Sequence, residues 1–194
     1  MMKYLYRNNT KLKLWQNAKR FETVIELDNW ASKIWEDWEL QYINDIRNPI
    51  AVYCGHGARH GINEYYRSGK QKFTELSELA EELERILENA PRLPEDIVTY
   101  RVVEKAEVNK LLNKGEVKDY GFISTTPYLN HEENIKGCKF FEIFVPKGTI
   151  CAYVEHLSVR QEYELLLAAS NYKIVYSGKK YKKKGSTFYK CVLN

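Results

Sequence analysis

The change of rhythm at Pro94 constrains this chain more than any other feature of its sequence. Before it, apolar residues recur at the three- and four-residue spacing of amphipathic helices. After it, short runs rich in β-branched and aromatic residues follow one another to the end. Helices first and strands afterwards point to an α+β fold with an antiparallel or mixed sheet, not to alternating βαβ units. With 194 residues the chain is expected to form one domain over 1–194, helical to about residue 95 and strand-rich from about 96.

Trp30, Ile34, Trp35 and Trp38 make an apolar stripe behind an expected N-cap at Asp28, and that helix closes before Asn48-Pro49. A Gly-rich turn follows Tyr53, then a short helix over 62–66 stopped by Ser68-Gly69. Leu76, Leu79, Leu83, Ile86 and Leu87 define a helix over 74–90, ended by Pro91 and Pro94. Strands are expected at 97–103, 121–125, 139–145, 150–154, 163–168, 172–176 and 187–192, with turns at Pro146-Lys147-Gly148 and Ser177-Gly178.

Several classes of function drop out. Hydrophobic residues at 44% and charged residues at 29% exclude a disordered chain, and no apolar run is long enough to span a membrane. The opening residues lack the apolar core and cleavage site of a secretory signal, so the chain is expected to be cytosolic as made, or delivered into a target cell by another component. The last thirty residues carry +7 against +4 for the whole, leaving −3 elsewhere; such a lysine-rich hairpin is read first as a solvated tip and second as a binding surface for nucleic acid or an acidic partner. The four cysteines form no C-x-x-C pair, and Cys54, His56 and His60 make only a loose cluster, so no metal is expected. In Gly55-His56-Gly57-Ala58-Arg59-His60-Gly61 the last glycine falls one residue late for a dinucleotide fingerprint, and no βαβ unit surrounds it.

Three segments carry chemistry. Arg101 follows Tyr100 inside an apolar strand, where a cation needs an anionic partner or an exit at the strand edge. Ser124, Thr125 and Thr126 put consecutive hydroxyls at a strand end. Glu162 and Glu164 stand two apart at the mouth of an apolar strand, where side-chain alternation would place both on one face.

In that order, aromatic-Arg, Ser-Thr-Thr and Glu-x-Glu before Leu-Leu resemble the Arg-Ser-Glu class of mono-ADP-ribosyltransferases, as in the catalytic domains of clostridial binary toxins such as iota toxin and the small Rho-modifying exoenzymes. Further stretches are similar to that family: Tyr53 with Ile62-Asn63 and Tyr66, Phe122 to Thr125, and Val145-Pro146-Lys147-Gly148-Thr149 with Ala152-Tyr153. The resemblance covers residues 29–194 and implies a core of two packed mixed or antiparallel sheets flanked by N-terminal helices.

It also implies NAD as the substrate that donates ADP-ribose, a protein acceptor as partner, and a translocation component or an inhibitor protein beside it, with no membrane or nucleic-acid role. By the same resemblance Glu164 serves the nicotinamide ribose, Ser124 orients Glu164, Arg101 grips the pyrophosphate, and Asn63 meets the adenosine side. Tyr53, Val102, Gly121, Thr125 and Thr126 complete the expected cofactor site. Val102 and Gly121 are departures, standing where actin-modifying members have Arg and Asn. In the family Glu-x-Glu accompanies arginine acceptors and Gln-x-Glu asparagine, so Glu162 implies an arginine acceptor; this agrees with the need of a protonated guanidinium for a carboxylate to take its proton. An NAD glycohydrolase, with water in place of arginine, and a non-enzymatic basic binding module are the alternatives.

Overall fold

Helix α1, Val24–Glu39, buries Leu27, Ala31, Trp35 and Trp38 on one stripe. Its N-cap is Thr23, whose hydroxyl accepts from the Glu26 amide, and not the expected Asp28. Asp28 lies a turn inside the helix and accepts from the Tyr153 hydroxyl at 2.7 Å, a tertiary partner that a local capping rule does not register. This is a computed structural model that describes residues 15–194 apart from 44–47, 56, 71–75, 130–134, 159 and 161. The opening residues, His56 and Thr74 lie outside the described residues.

Three more helices follow α1 before the first strand. These are α2, Pro49–Cys54, with Asn48 capping the Ile50 amide, α3, Ala58–Arg67, and α4, Ser77–Glu88. Then come β1, Ile97–Val103; α5, Lys105–Lys114; β2, Glu116–Asp119; β3, Ile123–Thr125; and β4, Lys139–Val145. The chain ends with β5, Cys151–Tyr153, a 3-10 turn at Glu155–Leu157, β6, Leu165–Leu167, β7, Tyr172–Lys183, and β8, Ser186–Leu193.

Periodicity does not predict the α5–β2 unit. Its helix buries only Val108 and Leu111, so the apolar stripe is too thin to read, although a capping box of Glu104 with Glu107 starts it and Gly115 at φ +73° stops it. Ser177-Gly178 is not a turn either. It marks a shift of register between Tyr176 and Lys180 within one long strand, with Gly178 at φ +81°, and the reversal comes at Lys184-Gly185.

Two sheets result, as expected. The larger runs β1-β4-β8-β7-β2, antiparallel except for the parallel β4–β8 pair; the smaller runs β3-β6-β5, all antiparallel. One face of the larger sheet, through Phe141 and Ile143, joins the main core with Trp35, Tyr53, Phe122 and Leu165 to Leu167. Val98, Phe144 and Val192 on its other face pack with Trp15 and Ala18. A bridge between Tyr100 and Thr126, with amide-to-carbonyl distances of 2.7 and 2.8 Å, links β1 to the end of β3 and fixes the two sheets beside one another. A cleft opens at that junction.

Candidate active site

Helix α3 presents Arg59, Asn63 and Arg67 at four-residue spacing, so one face of it lines the cleft. Asn63 is buried and fully engaged: its amide donates to the Tyr53 hydroxyl at 3.0 Å and its carbonyl accepts from the Phe122 amide at 2.7 Å. The Tyr53 hydroxyl in turn donates to the Phe122 carbonyl at 3.3 Å. Gly121 permits this approach, since a Cβ there would stand 2.5 Å from Asn63 Oδ1. The segment leading into β3 is thus fastened to α2 and α3 from both sides. Asn63 and Tyr53 reach the cleft wall, whereas Gly121 lies behind it.

From the larger sheet, Arg101 extends to the Ser124 carbonyl at 3.2 Å and to Glu107 at 3.8 Å. Val102, 63% exposed, forms the rim. From the smaller sheet come Ser124, Thr125 and Thr126. The Thr125 hydroxyl is buried and donates to the Leu165 carbonyl at 3.0 Å, while that of Thr126 donates to the Tyr128 carbonyl at 2.7 Å.

The two glutamates do share the cleft, but not through strand alternation. Strand β6 begins only at Leu165, and Tyr163 between them has a left-handed backbone, φ +52°. Glu162 is exposed and 3.4 Å from Arg160; Glu164 is 1% exposed. The expected hydrogen bond from Ser124 to Glu164 is not formed among the described residues. Arg59 takes that place, its Nη2 lying 3.1 Å from both carboxylate oxygens. The register explains the difference: Ser124 stands opposite Leu166, two residues beyond Glu164.

Electrostatics follow the burial. Withdrawal from water acts to lower the pKa of the Arg59 guanidinium, but Glu164, with Tyr53, Cys54 and Glu162 behind it, raises it above the ordinary value. The same guanidinium lies over the Tyr53 ring at 5.2 Å. Burial, then the adjacent Glu164, pushes the Cys54 thiol far up, so it stays protonated. Arg67 donates Nε and Nη2 to Asp119, both at 2.9 Å, which leaves Nη1 to meet an anion.

The space these groups enclose is about 650 Å³. Three arginines in addition to Arg59's glutamate-bound side chain, namely Arg67, Arg101 and Arg160, face a cavity that also holds two carboxylates. That donor set fits a dinucleotide with a pyrophosphate on one side and a developing cation on the other. Sequence reasoning missed Arg59, Arg67 and Arg160. The spacing of 59, 63 and 67 on a helix was the available signal for the first two. No group of three His, Cys, Asp or Glu side chains gathers as a metal site among the described residues, nor is any helix there long and apolar enough to cross a membrane.

The family model described as ADP-ribosyltransferase exoenzyme matches residues 27–190. No curated protein matches the chain in sequence. Among solved structures, the fold is similar to the C3 exoenzyme of Clostridium limosum, with a TM-score of 0.71 and 18% identity over 93% of this chain and 99% of that one. It is also similar to the ADP-ribosylating toxin BECa of a C. perfringens binary enterotoxin, solved with NADH, at TM-score 0.70 and 23% identity over 91% of this chain and 50% of that one. A third is Plx2a, an ADP-ribosyltransferase toxin from Paenibacillus larvae, at TM-score 0.69 and 18% identity over 87% and 94%. With a family model spanning most of its length and a cleft built of arginines around paired glutamates, the chain belongs to the ADP-ribosyltransferase exoenzymes, which take ADP-ribose from NAD.

Proposed function

We propose that this protein transfers ADP-ribose from NAD to the side chain of an arginine on a target protein. One observation carries the reading: a buried Glu164 and an exposed Glu162 open onto the same arginine-lined cleft. Loss of nicotinamide leaves cationic character on the ribose, and a fixed carboxylate stabilises charge that appears only in the transition state. Glu164 takes that part. Arg67 and Arg101 hold the pyrophosphate from two different elements, and Asn63 with Tyr53 keeps the wall between them in place. Ser124 and Thr126 offer polar contacts at the strand end.

Glu162 serves the acceptor. Its position at the surface suits a group that must meet another protein, and its carboxylate orients a guanidinium and accepts the proton released when the guanidinium nitrogen bonds to the ribose C1′. The bond from C1′ to the nicotinamide nitrogen breaks in the same exchange. Tested with labelled NAD and either agmatine or cell lysate, the protein should release nicotinamide and label the acceptor. Release without labelling would favour an NAD glycohydrolase. Neither signal, together with steeply salt-dependent binding of nucleic acid by the lysine-rich β7–β8 hairpin, would favour the binding module.

A further inference from the structure

We propose that Glu155 is a positioning residue whose carboxylate holds the backbone N–H of Tyr163 and so fixes the turn that carries both active-site glutamates. Glu155 opens the 3-10 turn just after β5. Its Oε2 accepts from the Tyr163 amide at 2.6 Å, and the neighbouring backbone amides of Glu164 and Glu162 act with it to lower a carboxyl pKa that burial raises. A left-handed residue turns its own N–H and those beside it toward one side of the backbone, making a concave seat for an anion. Tyr163 at φ +52° is that residue.

The need for such a hold is written in the loop itself. Between Glu155 and Glu164 there is no glycine, so the left-handed position falls on a tyrosine, which does not adopt it freely. An internal anion supplies what a glycine would otherwise provide. The Glu164 carbonyl meanwhile accepts from the Val154 amide at 2.9 Å. The Glu164 carbonyl and the preceding Tyr163 amide are therefore both tied to the end of β5. Glu155 does not line the cleft, and its Oε2 is engaged by backbone, so it acts through the two glutamates and not on substrate.

This inference rests on Glu162 and Glu164 being the reacting carboxylates. It separates from a general loss of structure because the dinucleotide contacts come from α3 and β1, which Glu155 does not touch. In Glu155→Ala, kcat for nicotinamide release and for transfer to agmatine should fall together by about tenfold or more, since small misplacements of catalytic groups are that costly. The Kd for NAD, measured by calorimetry, should change less than about threefold. Glu155→Gln keeps one acceptor oxygen but sets an NH2 among the donors, so its kcat should lie between Ala and the parent. If the alanine variant does not fold, the same split is read on the glutamine variant.

Glu164→Gln is measured beside them. If it is inactive while folded Glu155 variants keep kcat within twofold of the parent, the positioning role is overturned and the active site stands. A loss of NAD affinity equal to the loss of kcat in the Glu155 variants would overturn it as well. If Glu164→Gln keeps parental turnover, the active-site reading falls and the role of Glu155 falls with it.

Discussion

Arg59 Nη2 stands 3.1 Å from both oxygens of the Glu164 carboxylate, joining residues 105 positions apart. The pair keeps a buried anion matched, but it also occupies the carboxylate that a ribose hydroxyl would need. Arg59→Ala should therefore lower stability by about 1–3 kcal/mol, the cost of leaving a buried charge-assisted partner unmet. The rise in Tm on adding saturating NAD should be larger in the variant than in the parent, because NAD no longer displaces a guanidinium. An equal or smaller rise would show that the pair does not compete with NAD.

Glu164→Gln nearly preserves shape while removing the charge. Nicotinamide release and transfer should both fall at least a hundredfold, corresponding to about 3 kcal/mol of transition-state stabilisation. Affinity for NAD should change much less. A folded variant with near-parental turnover would exclude Glu164 from the chemistry.

Glu162→Gln should divide the two activities. Water is small and needs less positioning than a protonated guanidinium, so nicotinamide release should retain a substantial fraction of its rate while transfer to agmatine drops by about 100-fold. Both are measured on one preparation. An equal fall would mean that the two carboxylates work as a unit.

Arg101→Ala and Arg67→Ala should each weaken NAD binding by about 2 kcal/mol, the usual cost of truncating a charged phosphate contact. Calorimetry distinguishes them from Glu164→Gln, which should bind nearly as the parent does. Arg67 is pinned by Asp119, so Asp119→Asn should weaken NAD binding in the same direction but less.

The turn before the glutamates carries a pH-sensitive contact. His156 Nδ1 is 2.9 Å from buried Glu39; the hydrogen bond to Glu39 raises the histidine pKa, and burial raises that of Glu39. Both groups then hold protons in the folded state to higher pH than in the unfolded chain, so stability declines as pH rises. The contribution should be complete below about pH 6.5 and lost as pH passes through the raised histidine value. It should be small, because the His156 side chain is half exposed. The Tm difference between the parent and His156→Ala should shrink from about pH 6 to about pH 8.5. A difference that grows over this range would contradict the assignment.

Much of this protein is legible in the local periodicity of its sequence. Strands β1 and β4 span 97–103 and 139–145 as their β-branched and aromatic runs predict: β4 lies inside the larger sheet and is buried along almost its whole length, and β1, at the sheet's edge, is buried over Ile97 to Thr99 and at Val103. No strand precedes Pro94 among the described elements, although one helix, α5, falls after it. Arg101, Ser124, Glu162 and Glu164 stand out by residue type and position, Tyr53 and Asn63 only through the family resemblance, and the fold gathers all six around one cleft. Where the local signal is thin it fails: α5 buries too few residues to show a stripe, and Ser177-Gly178 reads equally as a turn or as an irregularity within a strand.

The sequence by itself determined the α+β order, most of the strands and the residue types that the chemistry needs. Tertiary structure decided who holds whom. Arg59 rather than Ser124 reaches Glu164, Asn63 spends both ends of its amide on Tyr53 and Phe122, and Glu155 fills the seat made by a left-handed Tyr163. Side-chain periodicity is a local property of the backbone and can be read from spacing. A hydrogen bond or ion pair between distant segments depends on where their elements dock, on strand register and on single backbone angles, and none of these leaves a pattern in the order of residues.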